Sequence, residues 1–354
     1  MAKTPIDVTE SSTEELKKAF KEKTPMIGIK KFGVHPRIHN DENVAILLLQ
    51  DYGDTPGNAL FPDIKKCAIG FITNKIVEKF KKDDLFWELL KLGILPIGCC
   101  GGPFDDHGND NDCATTLVAK YLGIEKKPEL RQILEYSLYT DKNGDAMFGS
   151  EKDTFTFKER LARNAAQALL PAGLCKSANR YIPIDDYEQI EKMIHVFIEM
   201  LRFKIKEQIA YHKVRSEIKE SKPWEMHSFN ENEVDHKIII IFHSSPFAAQ
   251  IVRELNQNLK PMLVIIINPE TRHIALLNSQ KNPRNIEGFV RYIRMSWFFN
   301  KRRSTPNWSE VGKTEDLEGA PFLFYHKEAE NFYNGGHTQP DADGYFGSVI
   351  SKQN

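Results

Sequence analysis

Apolar positions fall along the chain in blocks separated by polar, Gly- and Pro-containing turns, and the blocks predict strand, loop and helix in repeating order. Residues 26–34 form a mixed apolar stretch with Gly28 and Gly33, a predicted strand that leads into a loop holding His35 to Asp41. The run Val44-Ala45-Ile46-Leu47-Leu48-Leu49 that follows is apolar on every side, as in a buried helix. Residues 64–80 do not separate cleanly into strand or helix. Residues 84–91 place Leu85, Phe86, Leu89 and Leu90 on one helical face. Residues 94–100 predict a buried strand that stops at Gly101-Gly102-Pro103, and residues 113–121 a helix closed by Gly123. This alternation is the rhythm of an α/β fold with a mostly parallel, helix-covered sheet.

A long helix is predicted from Tyr187 to about Glu220, with Asp185 as its cap and Glu188 completing a capping pair. Ile190, Met193, Ile194, Phe197, Ile198, Leu201 and Ile205 recur on it at helical spacing, and Pro223 ends it. Beyond it a second α/β block is expected: strand 237–242, helix 248–255, strand 262–267 and a short strand 273–277. Residues 1–24 are polar apart from a short helix that Ser12-Thr13-Glu14-Glu15 caps and Pro25 stops, and they read as a tail. The expected organisation is a tail (1–24), a first domain (25–183), a connecting helix (184–222) and a smaller second domain (223–354).

Length and composition agree with two domains: 354 residues, 41% hydrophobic and 27% charged, hold enough apolar material for two cores. A formal net charge of −1 disfavours a strongly basic nucleic-acid binder or a polybasic membrane protein. The five cysteines include no Cys-x-x-Cys pair, which argues against a disulfide framework or a structural zinc site. With no apolar leader-like segment and no run long enough to span a bilayer, the expectation is a soluble protein of the cytoplasm or another reducing intracellular compartment, not secreted and with no membrane partner. The oligomeric state is left open.

Three segments carry candidate chemistry. His35-Pro-Arg-Ile-His39-Asn-Asp41-Glu42 gathers four potential ligands in eight residues at a predicted strand-to-helix junction, where α/β folds place their sites. Imidazoles with carboxylates suit Mn²⁺, Fe²⁺ or Zn²⁺, although a polar surface loop would have the same composition. Gly101-Gly102-Pro103-Phe104-Asp105-Asp106-His107 follows a buried strand, and also reads as an acidic turn. Leu138-Tyr-Thr-Asp141-Lys-Asn-Gly144-Asp145 reads as a turn lacking the full EF-hand pattern. Three further features are bland: His243-Ser244-Ser245-Pro246 as a helix cap, Lys301-Arg302-Arg303 as a solvated cluster, and Cys99 and Cys100 as core thiols.

In this order, His-x3-His-x-Asp, Gly-Gly-x-Phe-Asp-Asp-His and Asp-x-Asn-Gly resemble the motifs of the DHH superfamily of metal-dependent phosphoesterases, and most closely its melanocyte-proliferating-gene branch of nucleases. The resemblance implies a parallel-sheet domain and a smaller associated α/β domain with the active site in the cleft between them. It implies that His35, His39 and Asp41 are metal ligands, that Asp105, Asp106 and His107 stand where Asp-His-His stands, and that Asp141 is the last ligand. The divalent metal would be Mn²⁺, with Zn²⁺ or Fe²⁺ as alternatives, and Asp106 or His107 would handle protons. The associated domain of this superfamily ends in Gly-Gly-His, matched here by Gly335-Gly336-His337 after Asn334 as the phosphate-holding element. The implied substrate is a nucleotide or short oligonucleotide, hydrolysed at a phosphodiester or phosphoanhydride.

The chain departs from that pattern at two ligand positions. Asp106 replaces the central His of the signature, and Cys99 stands where the second-motif Asp is expected. The first motif is also one residue shorter than in the melanocyte branch. Loss of a bridging carboxylate would reduce a two-metal site to one. The alternative is therefore a catalytically degenerate relative that binds nucleotides or partners without turnover.

Overall fold

The computed structural model describes residues 3–37, 39–56, 58–80, 84–108, 111–143, 180–231, 234–270, 274–278, 291, 315–317, 320–326 and 331–334. The fold is α/β, and the chain divides into two compact units, residues 1–209 and 210–354. Among the described residues no helix is long and apolar enough to cross a membrane.

The first unit is built on a three-stranded parallel sheet. Its strands are β3 (Lys31–Val34), β6 (Ala68–Phe71) and β7 (Ile94–Pro96), with β3 in the centre, while β4 (Asp54–Thr55) and β5 (Asn58–Ala59) form a separate antiparallel pair. Phe32 pairs with Ile69 on one side and Leu95 on the other. The stretch expected as one strand over 26–34 is two. Gly28 turns the chain at φ +86, where a Cβ would lie 2.5 Å from Asp7 Oδ1. Before that turn β2 (Met26–Ile27) pairs with β1 (Ile6–Asp7), and after it β3 enters the main sheet. The strand expected over 94–100 leaves the ladder after Pro96, and the chain turns at Gly98 with φ +68.

Residues 3–24 pack as part of the first unit, where a tail was expected. Helix α1 (Thr13–Glu22) begins at Ser12, whose hydroxyl accepts from the Glu15 N–H while the Glu15 carboxylate accepts from the Ser12 N–H at 2.8 Å. Val8, Leu16 and Phe20 join the main core. The Phe20 ring sits edge-on to Phe86 and Phe104, with centroids 5.7 and 5.6 Å apart. Burying Leu16 and Phe20 stabilises the unit by about 1.5–3 kcal/mol each. The stripe was easy to overlook because it holds few apolar residues among many lysines and glutamates.

Helix α2 (Asn40–Tyr52) follows β3 directly. Val44 through Leu49 are fully buried, so the all-round apolar run marks a central helix. Helices α5 (Ala114–Leu122) and α6 (Arg131–Asn143) pack on it. Gly123 closes α5 at φ +70, as expected. Between β6 and β7 lie the short helix α3 (Asn74–Val77) and α4 (Leu85–Lys91), the latter burying the predicted Leu85, Phe86, Leu89 and Leu90.

The long helix α7 (Tyr187–Ser221) runs across the boundary between the two units. Its first-turn cap is Asp186, whose carboxylate accepts from the Gln189 N–H at 3.2 Å. This replaces the Asp185–Glu188 pair expected from the sequence, and Glu188 instead pairs with Lys192. In the first unit Arg202 forks onto Asp51 with N–O distances of 2.9–3.1 Å, tying α7 to the end of α2.

The second unit carries a seven-stranded sheet in the order β12-β13-β14-β11-β10-β9-β8 among the described residues. Its strands are β8 (Trp224–Glu231), β9 (Val234–Phe242), β10 (Leu263–Ile267), β11 (Ile274–Asn278), β12 (Glu315–Leu317), β13 (Ala320–His326) and β14 (Asn331–Asn334). β9 and β10 are parallel, joined through helix α8 (Ala248–Leu255), and the other pairings are antiparallel. Ile239, Ile241, Ile251, Val252 and Val264 form its core with Ile218 of α7.

Candidate metal centre

The site is assembled where β3 ends and α2 begins. The chain leaves Val34 into the His35 loop and enters α2 at His39, an extended residue at the N-cap. The Glu42 carboxylate reaches back to accept the His39 N–H at 2.6 Å, fixing the approach of His39 to the helix. Glu42 itself is buried, and burial, with help from Asp41, holds its carboxyl well above the usual carboxylate range. Gly98, at positive φ, passes so close that a Cβ there would lie 2.8 Å from Glu42 Oε1.

Asp41 projects from the first turn of α2 toward the start of α5. It is 3% exposed. Its carboxylate accepts from the Ala114 N–H at 3.3 Å, and its carbonyl accepts from the Thr115 hydroxyl at 2.6 Å. Burial, then the charges of Asp141 and Asp106, push its pKa up to about 7.

Asp141 comes from a part of the chain distant in sequence. The segment expected as a turn is instead helical, and Asp141 lies in the last turn of α6. One ligand atom each from His39, Asp41 and Asp141 lie within 4.8 Å of one another. Metal–ligand bonds of about 2.0–2.3 Å set opposite donors just over 4 Å apart, so small side-chain adjustments suffice to close this set on one ion. One imidazole and two carboxylates suit a first-row divalent metal. The buried Asp41 carboxylate, crowded by like charges, is the group that most needs a cation.

The other proposed ligands stand outside that trio. Asp105 accepts from the Gly101 N–H at 2.6 Å, the His107 N–H at 3.0 Å and the His107 ring Nδ1 at 2.5 Å. Burial pushes its carboxyl up, but these donors outweigh it and the pKa lies below the usual range. The same pairing raises the pKa of His107, whose side chain is largely exposed. Asp106 pairs with Lys142 Nζ at 3.2 Å. His35 is half-buried, and burial followed by the charges of His39 and His107 lowers its pKa. Cys99 directs Sγ toward Cys100 Sγ at 3.5 Å and the Gly33 carbonyl at 4.0 Å, among Ile72, Leu85 and Leu89. Gly335, Gly336 and His337 lie outside the described residues.

Glu42, the fourth potential ligand of the first segment, does its work on the backbone. Lys142 carries no expectation from the sequence. Lys142, next to Asp141, also bonds the Asp141 carboxylate at 3.1 Å. Its signal was a lysine beside the last acid of the motif series. His243 and Ser245 bond the N–H groups of Ser245 and Phe247 in the turn ahead of α8, but the helix cap expected of this segment is not made: the N-cap is Phe247, with no side-chain cap bond.

No family model and no curated protein sequence matches the chain. Among solved structures, the chain is similar to a pGpG-specific phosphodiesterase, PggH, from Vibrio cholerae, over 91% of this chain and 97% of that one, at 14% identity and a TM-score of 0.27. A likeness at that score fixes neither topology nor chemistry.

Proposed function

We propose that the chain is a metal-dependent phosphoesterase of the DHH type, hydrolysing a phosphodiester or phosphoanhydride in a nucleotide or short oligonucleotide. The observation that carries this is the convergence of His39, Asp41 and Asp141 from two helices about a hundred residues apart in sequence. The motif order in the sequence adds to it.

His39, Asp41 and Asp141 would hold the ion, with Mn²⁺ the first candidate and Zn²⁺ or Fe²⁺ compatible with the same donors. A bound divalent ion supplies a water acidified toward neutrality and a positive charge for phosphoryl oxygens. His107 is the proton donor in this reading. Asp105 takes its Nδ1 side, which leaves Nε2 for the substrate and holds the pKa above the ordinary imidazole value. Asp106 keeps Lys142 in place beside Asp141. Gly335, Gly336 and His337 are assigned the phosphate that does not react, through backbone N–H groups and the imidazole. The second reading, a nucleotide-binding protein without turnover, draws on Cys99, whose thiol is spent in the core.

The test joins metal content with turnover. Protein purified without chelator and supplied with Mn²⁺ is expected to bind the ion and to cleave at least one substrate in a panel of dinucleotides, short oligonucleotides and pyrophosphate. Asp41→Ala should lose both properties. His337→Ala should keep its metal and lose substrate use, as a raised KM or lowered kcat. Bound metal with no hydrolysis of any substrate would favour the second reading, and absence of metal binding by the wild type would refute the centre.

A further inference from the structure

Lys142 Nζ sits between two carboxylates, 3.1 Å from Asp141 Oδ2 and 3.2 Å from Asp106 Oδ2. All three side chains are mostly shielded, with 28%, 18% and 14% of their surfaces exposed. Asp106 comes from the loop after β7 and Lys142 from the end of α6, so the ion pair joins segments 36 residues apart. It also places a fixed positive charge directly on a carboxylate of the His39–Asp41–Asp141 trio.

We propose that Lys142 is a built-in cation in this centre, occupying the place between Asp106 and Asp141 that a second divalent ion would otherwise take, so that the centre binds one metal and not two. The proposal rests on the metal-site reading above. Charge balance supports it. Asp41, Asp106 and Asp141 carry three negative charges when ionised, and one divalent ion with one ammonium supplies three positive charges. Glu42 stays out of this balance because its carboxylate is turned back onto the His39 N–H at 2.6 Å. Asp105 stays out because His107 is its partner. A second divalent ion would add two positive charges beside an ammonium, with two of the acids already engaged. The other donor at this strand end offers no compensation, since the Cys99 thiol is turned toward Gly33 and Cys100.

An ammonium also fixes a chemical difference. It holds Asp106 and Asp141 without an exchangeable water, so it cannot generate a second nucleophile. Lys142 is therefore a positioning residue that sets metal number. Removing its charge should open the Asp106–Asp141 pair to a metal and should tighten the existing site, because the repulsion on the first ion disappears.

The test is Mn²⁺ alone, titrated calorimetrically into chelator-treated full-length chain, with electron paramagnetic resonance of the loaded protein. Wild type should bind one equivalent and give an isolated Mn²⁺ spectrum. Lys142→Met should bind two equivalents, the first roughly tenfold tighter, with a spin-coupled spectrum. Lys142→Arg should stay at one. Circular dichroism checks folding, and Lys142→Gln substitutes if the Met variant does not fold. Two equivalents in wild type, or one equivalent of unchanged affinity in both neutral variants, would overturn the inference while leaving the metal site standing. No binding in wild type would remove the metal centre and this inference together.

Discussion

Asp41→Asn separates charge from shape at the buried acid of the His39–Asp41–Asp141 trio. In the metal-free protein the Asp41 pKa is pushed from 3.8 up to about 7, first by burial and then by Asp141 and Asp106. A carboxyl that binds its proton more tightly folded than unfolded destabilises the native state as pH rises. The loss begins near pH 4, grows to about pH 7 and is level above that. At about 1.4 kcal/mol per pH unit, the full displacement amounts to ~4 kcal/mol. Asparagine has the same shape, its carbonyl can keep the bond from the Ala114 N–H, and it carries no charge. Weakening that one bond offsets the gain by roughly 1 kcal/mol. Metal-free Asp41→Asn should therefore be about 2–4 kcal/mol more stable than wild type at pH 8 and nearly equal to it at pH 4. Urea titration followed by amide exchange in α2 and α5 reports on this unit directly. In Mn²⁺ the order should reverse at pH 8, because wild type gains binding energy and the variant does not. Equal or lower stability of the metal-free variant at pH 8, or a wild-type profile flat between pH 4 and 7, would refute the picture of an uncompensated buried carboxylate.

The remaining predictions concern the loop after β7. Cys99→Ala should leave Mn²⁺ stoichiometry and affinity unchanged, since its Sγ faces the Gly33 carbonyl and Cys100. A loss of metal measured by titration would place the thiol among the ligands. Gly102→Ala should destabilise the first unit by about 2–3 kcal/mol through overpacking, because the new Cβ would lie 1.9 Å from the buried Phe86 ring. Denaturant titration checks this, and an effect under about 0.5 kcal/mol, the scale of neutral surface substitutions, would count against the packing.

What the sequence made legible follows from how local each signal is. The six apolar residues from Val44 to Leu49 leave no polar face, so a buried helix after β3 was the only economical outcome. Gly123 closes α5 because the left-handed backbone it supplies is local too. Alternation of elements gave the α/β class. Misreadings arose where a contact between distant segments decided the result. Residues 1–24 look polar by composition, yet Leu16 and Phe20, four residues apart, join the main core, where Phe20 meets Phe86 and Phe104. The Asp141 segment reads as a turn from its Asn and Gly, but packing of α6 on α2 carries the helix to Asn143. Asp185 reads as the cap, but the backbone path places Asp186 at that position instead.

The candidate site divides along the same line. His39 and Asp41 are neighbours in sequence, and the turn of α2 holds them near one another whatever the rest of the chain does. That Asp141 joins them depends on α6 lying against α2, which motif order suggested and local pattern did not. In the Asp105-Asp106-His107 run, the three adjacent residues face three ways. Asp105 turns inward to the Gly101 N–H and the His107 ring, Asp106 reaches Lys142, and His107 stays exposed. A contiguous signature therefore need not act as a contiguous ligand set. One member holds the His107 ring, one anchors a cation and one faces solvent. A carboxylate at position 106 accepts the Lys142 ammonium at 3.2 Å, which ties the loop after β7 to the end of α6.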